Sequence, residues 1–158
     1  MSILITCVTQ KVPAWVETAF QDYSQRCVAP WNIIYQPVGL KKRAKGRELQ
    51  ALEKESDQVI AMLKPGDYSI GMDPKGKTQT SEQFSASLVQ LLNEGLRPVF
   101  IIGAPEGLTP AIKSNCKALW SLGPMTLPHT LAKVTLAEQI FRAWSIEAGH
   151  PYHRGGQL

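Results

Sequence analysis

An α/β domain built on a parallel sheet flanked by helices is the fold class this chain predicts, and three observations predict it. Apolar, β-rich runs alternate with segments of helical periodicity along its 158 residues. One run, Val99–Gly103, is apolar throughout, as a strand covered on both faces must be. The loops after the later runs are rich in glycine and proline: Asp73-Pro-Lys-Gly76, Gly103-Ala-Pro-Glu-Gly107 and Gly123-Pro-Met-Thr126. Open α/β sheets bind ligands at the carboxyl ends of their strands, so three such loops on one edge predict a small-molecule site.

The elements follow in order. Ile3–Val8 is a short apolar strand. Pro13, suited to a first helical turn, opens a helix with Trp15, Val16, Ala19, Phe20 and Tyr23 on one side. Ile33–Val38 reads as the second strand. Glu48–Leu63 is a charged amphipathic helix carrying Leu49, Leu52, Val59, Ile60 and Leu63, and Pro65-Gly66 ends it. Tyr68–Met72 is the third strand. Thr80 and Gln83 form a capping box before Phe84, Leu88, Leu91 and Leu92 at helical spacing. Val99–Gly103 follows as the fourth strand, then a short helix capped by Thr109 and begun by Pro110. Ala118–Leu122 is the fifth strand. A last amphipathic helix opens at Pro128-His129 and stops near Gly149, with its apolar stripe at Leu131, Val134, Ala137, Ile140, Phe141 and Trp144.

The totals bound the function. Residues 1–158 read as one domain with no internal repeat or linker, 44% hydrophobic and 19% charged, the balance of a soluble globular protein. No apolar run approaches the roughly 18 residues of a membrane span. Met1–Thr9 lacks the basic flank and cleavage site of a signal peptide. Cys7, Cys27 and Cys116 are scattered and odd in number, which argues for reduced thiols, a cytoplasmic location and no structural metal. A net charge of +4 is a mild pointer to a polyanionic partner.

Gly71-Met-Asp-Pro-Lys-Gly76-Lys77-Thr78 formally fits the phosphate-loop pattern. The physics is poor. Pro74 removes an amide from the cradle, Asp73 sets a carboxylate beside the phosphates, and the next helix signal comes only at Thr80. A polar strand-to-helix loop is the preferred reading. Lys41, Lys42, Arg43, Lys45 and Arg47 crowd one interval between strand and helix. They read either as a solvated, mobile surface loop or as contacts to nucleic-acid phosphates. Lys133 and Arg142 lie half a helical circle apart on the last helix, each read as a solvated charge. All three histidines, His129, His150 and His153, flank that helix, and Tyr152 and Arg154 share its tail. Titratable and aromatic groups gathered at a terminus point to a tail that is used.

Four stretches now matter together: Ile101-Ile-Gly-Ala-Pro-Glu-Gly-Leu108, Trp120-Ser-Leu-Gly-Pro-Met-Thr-Leu-Pro-His129, Glu138-Gln-Ile-Phe-Arg-Ala-Trp144 and Pro151-Tyr-His153. With Val12-Pro-Ala-Trp15 and Asp73-Pro-Lys-Gly-Lys77 they span the chain, and they resemble one family, the ribosomal RNA large subunit methyltransferase H family of the SPOUT superfamily. The resemblance implies a C-terminal trefoil knot, a homodimer, and methyl transfer from S-adenosyl-L-methionine to N3 of a pseudouridine in 23S rRNA of the assembled ribosome. It implies a cofactor site at Met72, Gly103, Ala104, Leu122, Gly123, Pro124, Met125, Thr126 and Leu127. His129 and His153 become candidate general bases. Tyr152 becomes a stacking platform for the base, and Arg142 and Arg154 become holders of phosphate or ring oxygen. Ala104 stands where the family usually has Gly, and Lys133 where it usually has Arg, losing the two-pronged contact. Two alternatives remain open: a non-catalytic RNA-binding module of the same fold, and a phosphate-loop nucleotide hydrolase.

Overall fold

A computed structural model describes residues 2–154. Eleven elements alternate through it: β1 (Ile3–Thr9), α1 (Ala14–Ser24), β2 (Ile33–Tyr35), β3 (Val38–Gly39), α2 (Glu48–Ala61), β4 (Asp67–Thr78), α3 (Ser81–Asn93), β5 (Arg97–Ile102), α4 (Pro110–Asn115), β6 (Ala118–Ser121) and α5 (His129–Glu147). The sheet runs β2-β1-β5-β4-β6, with β3 also beside β1, and every pairing is parallel.

Strand alternation divides the core into two layers. Ile3, Ile5, Cys7, Phe100 and Ile102 face α1, α3 and α5, where they meet Phe20, Leu88, Leu136 and Ile140. Leu4, Val8, Val99 and Ile101 face α2 and α4, where they meet Val59 and Ile112. Burial of both faces explains why these strands read as unbroken apolar runs. The capping box at α3 forms as its sequence predicts: Gln83 N–H donates to Thr80 Oγ1 at 3.1 Å, and Thr80 N–H to Gln83 Oε1 at 2.9 Å.

Several expectations need correction. The second strand, read as Ile33–Val38, splits into β2 and β3, with Gln36-Pro37 between them; Pro37 has no N–H for a ladder. The third strand runs on to Thr78, so the phosphate-loop lookalike is strand and not a loop. Beyond an irregularity between Met72 and Lys77, Lys77 and Thr78 pair again with Trp120 and Ser121. No helix follows Gly76 directly, and the amide fan of a phosphate loop does not form. A Cβ at Gly76 would stand 2.7 Å from the Leu119 carbonyl, so this glycine serves strand contact and not a phosphate.

The basic interval is latched in place. Arg43 donates to Glu55, itself 2% exposed, at 2.6 and 2.8 Å, and to Glu106 at 2.8 and 3.1 Å, while Lys41 N–H also binds Glu55. Two carboxylates neutralise Arg43, which makes it a fastener; Lys42, Lys45 and Arg47 remain exposed around it. Lys133 is not a solvated charge either. It is 1% exposed, its ammonium 2.9 Å from Glu17 Oε1 and 3.7 Å from the centre of the Tyr35 ring. An aromatic face and one carboxylate replace its water. Among the described residues no helix is long and apolar enough to cross a membrane, and no His, Cys, Asp and Glu cluster could hold a metal.

Candidate active site

The carboxyl ends of β4, β5 and β6 open onto a cleft of about 750 Å³, within the roughly 300–1,000 Å³ of small-molecule sites. Three segments build it. The first is Met72–Lys75, where β4 leaves its ladder. The second is Gly103–Leu108, after β5. Here Gly107 N–H donates to the Ala104 carbonyl at 2.7 Å, closing a turn around Pro105-Glu106. A Cβ on Gly103 would stand 2.5 Å from the Gly107 backbone, so only glycine lets the turn fold down on its own strand end. The third segment follows β6. Gly123, at φ +135°, turns the chain back, and Gly123 N–H donates to Ser121 Oγ at 3.0 Å. Leu122, Gly123, Met125, Thr126 and Leu127 then line the cleft up to α5, whose His129 and Ala132 form its floor.

Every expected cofactor residue except Pro124 lines this cleft. Met125 is an apolar side chain 80% exposed at its mouth. The sequence reading missed Glu106, Leu108 and Lys113, which also line it. Lys113 reaches Asp73 Oδ2 at 3.0 Å from α4, and Lys75 N–H donates to Asp73 Oδ1 at 2.8 Å. The Lys75 amide, with Lys113 adding to it, outweighs burial and holds the Asp73 carboxyl below the usual range. This charge is therefore fixed at neutral pH.

His129 joins the floor to the sheet. Its Nε2 lies 3.1 Å from Thr9 Oγ1, and Thr9 sits at the end of β1. The chain thus returns from β6, on the sheet edge, past the ends of β4 and β5 to start α5 beside β1.

The tail groups form a second cluster elsewhere. The helix ends with Gly149 at φ +66° and His150 N–H donating to the Ser145 carbonyl, which folds the chain back along α5. Tyr152 packs edge-on against Phe141 at 4.7 Å, and its hydroxyl donates to Glu138 Oε1 at 2.9 Å. Burial, reinforced by the Glu138 carboxylate, pushes the Tyr152 phenol up to about 12, so it remains a donor. Arg142 donates to the same carboxylate oxygen at 2.6 and 2.9 Å and to His153 Nδ1 at 3.1 Å. His153 Nε2 meets Glu82 Oε1 at 2.9 Å. An arginine only donates, so His153 Nδ1 accepts and Nε2–H serves Glu82. His150 lies 5.4 Å from Trp144, a packing role. Arg154 Nε binds the Pro151 carbonyl at 2.9 Å. Sequence spacing could have found the Glu138–Arg142 pair at i, i+4, but not Glu82, which the fold brings from α3.

His129 and the tail cluster do not meet within one chain. Glu138, where Tyr152 docks, lies nine positions beyond His129, about 13 Å along the axis and half a turn around it. The cleft and the tail cluster are separate places in one chain.

Comparison with known proteins agrees with this architecture. Residues 1–153 match a family described as "Predicted SPOUT methyltransferase", which gives the class of protein to which this chain belongs. Within that class the chain belongs to the ribosomal RNA large subunit methyltransferase H family. It is 42% identical over 156 residues to the member from Dichelobacter nodosus, covering 98% of this chain and 99% of that one. It is 37% identical over 154 residues to the member from Polynucleobacter asymbioticus, again covering 98% and 99%. A solved methylase family structure from Neisseria gonorrhoeae aligns with a TM-score of 0.52 at 12% identity, over 96% of this chain and 94% of that one, and shows the fold alone.

Proposed function

We propose that this protein transfers a methyl group from S-adenosyl-L-methionine to large-subunit ribosomal RNA, at N3 of a pseudouridine in the assembled ribosome, and that it works as a homodimer with a knotted C-terminal half. The separation of cleft and tail carries the reading. A cleft suited to a nucleoside cosubstrate and a tail rich in groups suited to a base lie apart in one chain, and a second copy brings them together.

The residues present fit the cosubstrate. Gly103 and Gly123 keep backbone amides and carbonyls at the cleft surface, and Met72, Leu122, Met125 and Leu127 supply apolar walls for a ring. S-adenosylmethionine supplies an electrophilic methyl on a sulfonium. The chain must then hold the target base in line with it, since alignment to about 3–3.5 Å accounts for much of such a barrier. Tyr152 offers a face for that base. Arg142 and Arg154 offer positive charge to the ring oxygens, favouring loss of the N3 proton. His153 accepts that proton only after Arg142 leaves its Nδ1, a change the incoming RNA drives by taking Arg142 for itself. Lys42, Lys45 and Arg47 extend the contact to phosphates, held at the cleft rim by the Arg43–Glu106 bond.

Two experiments test the proposal. Calorimetry should detect S-adenosylmethionine binding and no ATP binding; the reverse would restore the nucleotide hydrolase reading. Mixing an inactive cleft variant, Gly103→Val, with an inactive tail variant, His153→Ala, should recover activity in mixed dimers. No recovery beyond the separate variants would place cleft and tail in the same subunit.

A further inference from the structure

We propose that Thr9 is a positioning residue that fixes the tautomer of His129, so that the imidazole presents its Nδ1 lone pair to the cleft as an acceptor for a hydroxyl or amino group of the bound cosubstrate. This assignment rests on the cofactor reading above.

Thr9 stands beside the floor of the cleft. It is the last residue of β1, 7% exposed, and its backbone is held on the neighbouring edge by Leu40 N–H donating to its carbonyl at 3.1 Å. Its side chain has one proton to give. That proton has an acceptor in the Gln10 carbonyl at 3.0 Å. The hydroxyl oxygen then faces His129 Nε2, 3.1 Å away, as an acceptor. With the hydroxyl proton on Gln10, Nε2 carries the imidazole proton and Nδ1 the lone pair.

Nδ1 has no protein partner among the described residues. It is not sealed in, either. Asn32 Oδ1 is the one buried side-chain oxygen or nitrogen without a partner among those residues, so Nδ1 is reachable from solvent. The ring lines the cleft, so a bound cosubstrate shares the pocket with this nitrogen. His129 is also poorly placed for other work. It is the first residue of α5, behind an N-cap Pro128 that offers no side-chain cap. Its ring turns to the sheet instead of capping its own helix. An acceptor fixed at the floor of the pocket selects a ligand group with a hydrogen to give, which a nucleoside's hydroxyls and amines have.

The tautomer is read directly by nitrogen NMR. In uniformly labelled protein at neutral pH, His129 should show a pyrrole-type Nε2 and a pyridine-type Nδ1. Thr9→Val, close in shape, should lose that preference and weaken S-adenosylmethionine binding several-fold, while Thr9→Ser keeps both. Binding should also move the wild-type Nδ1 resonance. A dispersed amide spectrum for Thr9→Val separates loss of the tautomer from loss of the fold. The proposal is overturned by a wild-type His129 protonated on Nδ1, or by a folded Thr9→Val with an unchanged tautomer and affinity. The tautomer measurement needs no ligand. A wild-type protein with the expected tautomer that does not bind S-adenosylmethionine would thus refute the cofactor reading and, with it, the ligand-accepting role of Nδ1.

Discussion

Replacing Gly103 by Ala puts a single methyl where the structure has no room for it. The added carbon would lie 2.5 Å from the carbonyl carbon and oxygen of Gly107 and 2.7 Å from the amide nitrogen of Leu108, all backbone. An ordinary contact begins at 3.4 Å, so the turn over residues 104–107 must lift by close to 1 Å. Overpacking of this kind costs about 1–3 kcal/mol. At roughly 2–4 °C per kcal/mol for a chain of this size, the melting temperature falls by about 2–12 °C. The same lift displaces one wall of the cleft, and misplacement by ~1 Å can cost a hundredfold in a positioned site. Calorimetry should then show S-adenosylmethionine affinity reduced at least tenfold. Gly95→Ala is the control. Its φ of +74° strains any side chain, but nothing lies within 4 Å and the cleft is elsewhere, so it should lose stability with affinity unchanged. A Gly103→Ala protein that binds and melts like the wild type would refute the close approach on which the cleft is built.

Three further outcomes are expected. Glu17→Gln leaves the Lys133 ammonium buried against Tyr35 and Phe20 without its carboxylate; Glu17 is itself 43% exposed, so urea unfolding should show a loss of about 1–2 kcal/mol, short of the cost of breaking a fully buried pair, and a loss below about 0.5 kcal/mol would mean the aromatic faces suffice. Burial pushes the Cys7 thiol up to about 12 and the Cys27 and Cys116 thiols up to about 11. At pH 8 the folded protein should therefore react slowly with a disulfide reagent, half-buried Cys116 first, and all three rapidly once unfolded. The Asp67 carboxyl is raised by burial but pulled down further by Arg97 and the Lys64 N–H, leaving it below the ordinary value. Its contribution is complete above the unfolded value, about 3.9, and is lost as pH falls through the lowered folded one. Thermal melts of Asp67→Asn against wild type should diverge at pH 7 and draw together as the pH falls below the unfolded value; parallel curves would remove the Asp67–Arg97 pair from the acid response.

Much of the architecture was legible because each element carries a local cause. The apolar run Val99–Gly103, the Thr80–Gln83 box and the Thr109-Pro110 start are visible within a few residues. The cleft loops announced themselves through glycine and proline. What stayed hidden is non-local. Residues 73–78 looked like a loop because the pairing that makes Lys77 and Thr78 strand comes from β6, more than forty positions on. Arg43 looked free because Glu106 is 63 positions away. Lys133 looked solvated because nothing in its own helix shows the Tyr35 and Phe20 rings beneath it. The tail residues were named from resemblance, but only the fold shows them docked on Glu138 and Glu82, away from the cleft.

The central claim is methyl transfer to ribosomal RNA. Its most direct test is incubation of the purified protein with methyl-labelled S-adenosylmethionine and ribosomes from cells lacking it, followed by mass spectrometry of the large-subunit RNA. The account predicts one added methyl at N3 of a pseudouridine, abolished by Gly103→Val. Unlabelled ribosomes, with a protein shown by calorimetry to bind the cosubstrate, would contradict it.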